Sequence, residues 1–133
     1  MHKKDYLQRQ FEEFGKVLAT LLSFKRNGDW EKFEEEIALA TQKFTTLELT
    51  LLEALNEVDF KVKTFSTALS YDQKKILANL LFEKMNSYLE RNQTEKFIDL
   101  KAKCLALYTH LTSELTHNEF DLEAHYRLEF LSK

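Results

Sequence analysis

Residues 26–33 read RNGDWEKF, and this segment decides how the chain folds. It separates two stretches whose apolar residues recur at intervals of three and four, the spacing that places them on one face of an α-helix. Asn27 and Gly28 both tolerate the left-handed conformation that ends a helix, and Asp29 is a preferred first residue for the next one. The pattern therefore predicts two antiparallel helices joined by a tight turn, a hairpin over about residues 5–44.

The same joint occurs a second time. Residues 91–97 read RNQTEKF, and they align with the first joint when one gap is allowed. Asn92 is the predicted start of the helix that follows, and the long apolar-periodic stretches on either side predict a second hairpin over about residues 70–117. Ser70 and Gln73 have the spacing of a capping box at its beginning.

A last helix is predicted over residues 121–132, with Asp121 as its N-cap. Its apolar residues are three and four positions apart in the way that defines one helix face, and this face is predicted to pack on the rest of the protein. The residues of that face are Leu122, Tyr126 and Phe130.

The connector between the two hairpins, residues 45–69, permits two interpretations. Two pairs have the spacing of a capping box: Thr45 with Glu48, and Asn56 with Asp59. These pairs predict short helices. Apolar residues also alternate within residues 56–66, as in a strand: Val58, Phe60 and Val62. A lone strand has no partner in this chain, so helix is favoured over strand, with Val58, Val62, Phe65 and Leu69 on one face.

Composition supports an all-α fold of six or seven helices. The chain has 133 residues, 44% hydrophobic and 31% charged, with 2 glycines and no proline. Sandwiches, barrels and dinucleotide-binding folds depend on glycine and proline in their turns and phosphate loops. The length fits one domain, so residues 1–133 are predicted to form a single helical domain.

The first joint resembles the turn of a tetratricopeptide repeat. That repeat has Gly-Asp-aromatic at its turn, as Gly28, Asp29 and Trp30 do here, and a later small residue that Ala40 matches. Phe33 and Phe97 stand where the repeat has a small residue, which predicts wider helix spacing or a different crossing of the helices. The resemblance implies a tetratricopeptide-like helical bundle.

A second resemblance covers nearly the whole chain. The segments KDYL (4–7), FEEFGK (11–16), FTTL (44–47) and FDLEAH (120–125) are similar to those of a family of small, all-helical bacterial proteins, a domain of unknown function. The resemblance implies a cytoplasmic protein built of tetratricopeptide-like hairpins. It implies no enzymatic activity.

Charge and hydropathy exclude several classes of partner. The chain has 19 Lys and Arg against 22 Asp and Glu, interspersed along its length, and no basic stripe that would bind nucleic acid. It has no apolar run long enough for a signal sequence or a membrane span. One cysteine, Cys104, cannot form an internal disulfide. A cytoplasmic location is therefore expected.

The histidines are the first candidates for chemistry. His110, Glu114 and His117 share one face of a predicted helix, and His125 lies on the helix that follows. Imidazole and carboxylate groups are ligands for zinc, so this region is the candidate for a metal or ligand site. The spacing lacks the His-Glu-x-x-His form of zinc enzymes, and a solvated polar face is the preferred interpretation.

No catalytic residue is predicted. Cys104 lies on the apolar stripe of its helix, where a thiol is expected to be buried and inert. The chain has no glycine-rich phosphate loop and no recognisable nucleophile–base pair. No cofactor is predicted, and the chain is expected not to be an enzyme. The alternative is a small helical enzyme or sensor that uses the region of His110, His117 and His125.

The favoured function is binding of another protein or of a second copy of the chain. If the second hairpin follows the tetratricopeptide arrangement, Asn79, Asn86 and Glu90 face a groove that holds a partner. A polar helix surface without a partner is the alternative interpretation of these residues. The first helix has more apolar residues than one neighbour requires, Leu18 and Leu22 among them, which predicts a homodimer through this helix.

Overall fold

The computed structural model describes the backbone of residues 3–114 and 121–133, with side chains from residue 8 onward in those ranges. Within these ranges there are seven α-helices and no strand, which confirms the predicted all-α class. The helices, in chain order, are α1 (Lys3–Arg26), α2 (Trp30–Thr45), α3 (Leu49–Ala54), α4 (Glu57–Thr64), α5 (Tyr71–Glu90), α6 (Thr94–Glu114) and α7 (Leu122–Leu131).

Both predicted joints are present and have the same hydrogen bonds. Gly28 (φ 69°) and Asn92 (φ 59°) are the left-handed residues that end α1 and α5. In the first joint the Asp29 N–H donates to the Phe24 carbonyl, and in the second the Gln93 N–H donates to the Tyr88 carbonyl, both at 2.9 Å. This is the Schellman arrangement, which satisfies carbonyl groups that the helix end leaves open.

The second joint corrects two details of the sequence prediction. Asn92 belongs to the end of α5, because its positive φ closes that helix, and α6 begins only at Thr94. Asn92 is therefore equivalent to Gly28, and the two joints align without the gap that the letters suggest. Residues 115–117, the predicted end of the second hairpin, lie outside the described residues.

The chain divides into two compact units, Met1–Ala40 and Thr41–Lys133. In the first unit Asp29 begins α2 as predicted, since its carboxylate accepts the Lys32 N–H at 3.2 Å. The rings of Trp30 and Phe33 meet edge to face with centroids 5.5 Å apart. Among the side chains of this unit from residue 8 onward, the buried apolar ones are Phe14, Leu21, Phe33, Ile37 and Ala40. The predicted single domain over residues 1–133 stays a prediction.

The connector between the hairpins is helical. Asn56 caps α4 as predicted, because its side-chain oxygen accepts the Asp59 N–H at 2.8 Å. The predicted apolar face was wrong for Val58 and Val62, which point to solvent, whereas Phe60 is fully buried. Leu69 of that predicted face is buried, beyond the end of α4. Phe60 and Thr64 are four residues apart and so lie on one face of α4. The rest of the second unit covers that face.

The pairing of Thr45 with Glu48 was also wrong as a helix start. Thr45 is the last residue of α2, and its hydroxyl donates to the Thr41 carbonyl at 2.7 Å. Glu48 precedes α3 and makes no side-chain cap. The Thr45 hydroxyl also accepts the Leu47 N–H at 3.2 Å, so it closes the end of α2 and does not cap α3.

The core of the second unit is centred on α5. Ser70 and Gln73 form the predicted capping box at its start. Helix α5 packs on α6, and α6 in turn contacts α4 and α7. Burying each large apolar side chain contributes about 2 kcal/mol. The buried apolar residues of α5 and α6 are Ile76, Leu77, Ala78, Leu80, Leu81, Met85, Tyr88, Leu100, Cys104, Leu107, Tyr108 and Leu111.

Candidate functional site: the two faces of α7

A polar network, here called the α7 clasp (Asn79, Tyr108, Glu123 and Arg127), joins the inner face of α7 to α5 and α6. The Tyr108 hydroxyl donates to Asn79 Oδ1 at 2.5 Å, and Arg127 donates to the same oxygen at 2.8 Å. Asn79 Nδ2 donates to Glu123 Oε1 at 3.0 Å. Tyr108 and Asn79 are buried, so these bonds satisfy groups that would otherwise be costly to desolvate.

The clasp also has an aromatic wall. The Arg127 guanidinium lies over the Phe82 ring, 4.5 Å from its centroid. Phe82 in turn meets Phe130 edge to face at 5.8 Å and Tyr108 at 6.3 Å. A guanidinium over a ring is attracted by the ring quadrupole, so Arg127 stabilises α7 through both packing and polar contacts.

Asp121 fixes the beginning of α7. Its carboxylate accepts the Ala124 N–H at 3.1 Å, the Tyr71 hydroxyl at 2.8 Å and the Lys75 ammonium at 3.1 Å. Partial burial acts to raise the pKa of Asp121, but these donors outweigh it and hold the pKa below its usual value. The predicted N-cap is therefore present, and it also ties α7 to the start of α5.

The outer face of α7 is an aligned apolar stripe, here called the α7 stripe (Leu122, Tyr126 and Phe130). These side chains follow one another at four-residue intervals and are 55%, 62% and 55% exposed. The sequence predicted that this face packs on the protein, and that was wrong for Leu122 and Tyr126, whereas Phe130 does contact Phe82 of α5. Ala124 and Leu131 on the opposite face are the buried residues. Leu89 of α5, also exposed, lies on the side of α5 that carries Phe82.

Carboxylates border the α7 stripe. Glu123 and Glu129 lie on its two edges by helical position. Glu123 also accepts from Asn79 of α5, and Glu83 of α5 acts electrostatically on Arg127. His125 is within 3.4 Å of Glu129, nitrogen to oxygen.

The residues predicted to face a groove separate in the structure. Asn79 is buried in the α7 clasp, with its side-chain oxygen and nitrogen both bonded. Asn86 is half-buried and Glu90 is exposed, and both lie on the side of α5 that carries Phe82. Whether a partner reaches these two residues stays a prediction.

The candidate metal residues are only partly brought together. His110 Nε2 and Glu114 Oε1 are 2.7 Å apart, and the Lys74 ammonium, itself buried, pairs with Glu114 and lies 3.1 Å from His110 Nε2. The Lys74 ammonium thus lies beside the imidazole and the carboxylate, in the place that a metal cation would take. His117 lies outside the described residues, and His125 is paired with Glu129. Among the described residues no three His, Cys, Asp or Glu side chains are grouped to hold a metal.

A cleft of about 410 Å³ lies beside His110, between α4 and α6. The Phe65 ring stacks on the His110 imidazole with centroids 4.0 Å apart and planes inclined by 5°. The floor of the cleft is mainly apolar, and Glu57 and Lys61 form an ion pair of 3.5 Å at its rim.

A second buried cluster surrounds Glu53 of α3. Its carboxylate accepts the Tyr88 hydroxyl and lies 3.8 Å from the Lys84 ammonium, while Lys103 donates to the Glu53 carbonyl at 2.8 Å. Burial raises the pKa of Glu53, and burial together with Arg91 and Lys96 lowers the pKa of Lys84 to about 8. These internal bonds hold α3 against α5 and α6.

Sequence reasoning missed the buried lysines. Lys74, Lys84 and Lys103 are all at most 3% exposed. One signal was available: Lys84 lies four residues after Leu80 and four before Tyr88, a position that the apolar period of α5 reserves for the core. Cys104 is buried as expected, and its burial raises the pKa of the thiol. That shift keeps the thiol protonated and unreactive.

No protein-family model matches the sequence, and neither does any curated protein or solved structure. Among the described residues, no helix combines the length and the apolar character that crossing a bilayer requires.

Proposed function

We propose that this protein is a non-catalytic helical module that binds another protein through the outer face of α7. The observation that supports this proposal is the α7 stripe. Single exposed apolar residues are normal on any protein surface. Three large ones aligned at four-residue intervals on one helix form the kind of patch that marks interaction sites.

The stripe is suited to a helical partner. Side chains four residues apart form a ridge on a helix, and a second helix covers such a ridge with its own apolar face. The α7 clasp holds Ala124 and Arg127 inward, so the stripe is presented from a fixed base. A tetratricopeptide-like arrangement of the two hairpins belongs to this proposal, and the lone buried Cys104 supports a cytoplasmic setting for it.

Site-specific crosslinking tests the proposal. A photoreactive phenylalanine analogue replaces Tyr126 in the full chain, and the chain is irradiated in the cells that produce it. We expect one reproducible crosslinked protein, lost when Leu122→Ser is added. The matched control carries the analogue at Val62, an exposed apolar residue of α4. Crosslinks at Tyr126 no stronger than at Val62 would overturn the proposal.

Self-association is a second form of the same proposal. Leu22 of α1 is exposed and Leu18 is half-buried, which leaves apolar surface on this helix for a second copy. Light scattering over a range of concentrations measures the mass directly. A monomer at every concentration would remove the homodimer and leave the α7 proposal in place.

A ligand sensor or small enzyme is the second candidate, and the observation that favours it is His110 on the wall of the α4–α6 cleft. A mainly apolar cleft with one imidazole is a common form of small-molecule site. Thermal-shift screening tests it, since a ligand at about 100 times its Kd should stabilise the protein by about 2.7 kcal/mol. A hit that His110→Ala abolishes would support a site here.

A further inference from the structure

We infer that the cleft between α4 and α6 is a binding site for a small, neutral aromatic molecule that carries an N–H or O–H donor. This inference rests on the second candidate function, a ligand sensor or small enzyme, and names the ligand class of that site. The shape, the charge and the hydrogen-bonding groups of the lining each restrict what the cleft can hold.

The floor of the cleft is one face of α6. Its residues recur at intervals of three and four, and two of them, Ala102 and Ala106, have side chains that end at Cβ. Alanines four residues apart are neighbours on the helix surface, and together they leave a flat strip that suits a planar ring. The cleft volume of about 410 Å³ is that of a site for a small molecule.

A stacked aromatic pair forms part of the lining. Phe65 ends α4, and its ring lies parallel to the His110 imidazole with centroids 4.0 Å apart. His110 Nε2 lies 3.1 Å from the Lys74 ammonium and 2.7 Å from Glu114 Oε1, which holds the imidazole in place. Aromatic rings attract a further ring in an offset or edge-to-face arrangement, which a saturated ring cannot adopt. The pair therefore favours an aromatic ligand.

The charged groups that line the cleft or touch its imidazole compensate one another. Glu57 and Lys61 at the rim form an ion pair. Lys74 and Glu114, which contact the imidazole, form another. Each pair has one charge of each sign, so neither leaves a net charge for an ionic ligand. An ion in the cleft would lose hydration without gaining an opposite charge, a cost that a neutral molecule does not have.

The hydroxyl groups of the cleft have donated their protons but can still accept. Thr109 Oγ1 donates to the Leu105 carbonyl, and Ser113 Oγ donates to the His110 carbonyl, each at 2.7 Å. A hydroxyl has one proton and two lone pairs, so each oxygen retains a place for an incoming donor. A ligand with an N–H or O–H group can use that place, whereas a carboxylate, which only accepts, cannot.

Four probe molecules test the inference: indole, N-methylindole, indole carboxylate and cyclohexanol. Indole is neutral and aromatic and has one N–H donor. The methyl group removes the donor, the carboxylate adds a negative charge, and cyclohexanol keeps a donor but has no aromatic ring. Heteronuclear NMR follows the backbone amide signals of α4 and α6 in the full chain as each probe is added. We expect indole to bind with a Kd of about 1 mM or below, and each other probe about fivefold or more weakly.

Two variants and one control locate the binding. Ala106→Leu puts a larger side chain on the cleft floor and should weaken indole binding about tenfold or more. Ala19→Leu makes the same change at an exposed position of α1 and should leave it unchanged. In the double variant Thr109→Val with Ser113→Ala, indole should lose its advantage over N-methylindole, which binds as before. Far-UV circular dichroism checks that each variant retains the helix content of the parent.

The outcomes separate the ligand class from the site. Indole binding that Ala106→Leu leaves intact would place the ligand elsewhere and overturn the inference. So would any other probe binding as tightly as indole, or an unchanged advantage of indole in the double variant. Binding of none of the probes would overturn the ligand class, yet a thermal-shift hit that His110→Ala abolishes would keep the second candidate function standing. Absence of any such hit would overturn that candidate function itself.

Discussion

The inner and outer faces of α7 differ in how completely their groups are partnered. On the inner face Ala124 and Leu131 are buried, and Arg127 is bonded to both Asn79 and Tyr108. On the outer face three large apolar side chains remain exposed. The contacts that hold α7 in place and the apolar surface that α7 exposes are therefore formed largely by different residues. The fold depends on the inner face, so substitutions outside can test binding without disturbing stability.

The largest expected effect is on the inner face, at Arg127. Arg127→Ala removes two hydrogen bonds, from Nη1 to Asn79 Oδ1 and to the Tyr108 hydroxyl, and the packing of the guanidinium on Phe82. We expect the free energy of unfolding to fall by about 3 kcal/mol. Urea unfolding measures the loss, and hydrogen exchange should show faster exchange in α7 than in α2. A loss below about 1 kcal/mol would mean that the clasp does not hold the helix.

The next effect is at Asp121 and depends on pH. Asp121→Asn removes the charge that Lys75, Tyr71 and the Ala124 N–H stabilise, and should cost about 2 kcal/mol at neutral pH. The folded-state pKa of Asp121 lies below its ordinary value, so the unfolded chain takes up its proton first as pH falls.

The contribution of Asp121 is therefore complete above its ordinary pKa and disappears as pH falls through the lower, folded-state value. Urea unfolding of the parent and of Asp121→Asn between neutral pH and pH about 2 measures the difference. We expect the two stabilities to converge at the acid end. A constant difference over this range would contradict a charge-based role.

A smaller effect is expected at Tyr108. Tyr108→Phe removes a buried hydroxyl but leaves Arg127 bonded to Asn79 Oδ1, so the amide keeps a donor. The free energy of unfolding should fall by about 1 kcal/mol. Tyr126→Phe on the outer face is the matched control, with no expected change. Equal losses from the two substitutions would remove the distinction between the faces.

The sequence predicted the helices well because their signals are local. Asn27–Gly28, Ser70 with Gln73 and Asn56 with Asp59 each fix a helix end through contacts within a few residues. The errors arose where one short sequence pattern is compatible with two different structures at a helix end. Thr45 bonded backward into α2, and Asn92 closed α5 where it was expected to open α6.

The two faces of α7 show what helical spacing in the sequence could not predict. The periodicity identified Leu122, Tyr126 and Phe130 as one face, but it could not show that the opposite face is the one covered. That outcome depends on Arg127 bonding to Asn79 of α5 and Tyr108 of α6, which lie 48 and 19 residues earlier in the chain. The burial of Lys74 likewise depends on Glu114, 40 residues away. A partner so far away in the sequence does not alter the three- and four-residue spacing from which helix faces are predicted.

The smallest expected change in the free energy of unfolding is at Tyr126 on the outer face. It is the most direct test that the two faces of α7 differ. Tyr126→Ser should change the free energy of unfolding by less than about 0.5 kcal/mol, because the ring is mostly in water in the folded and unfolded chain alike. Val62→Ser on α4 is the matched control and should behave in the same way. Urea unfolding of both variants measures the changes. A loss above about 1.5 kcal/mol at Tyr126 alone would mean that the protein itself covers the stripe, and the outer face would then have a structural role.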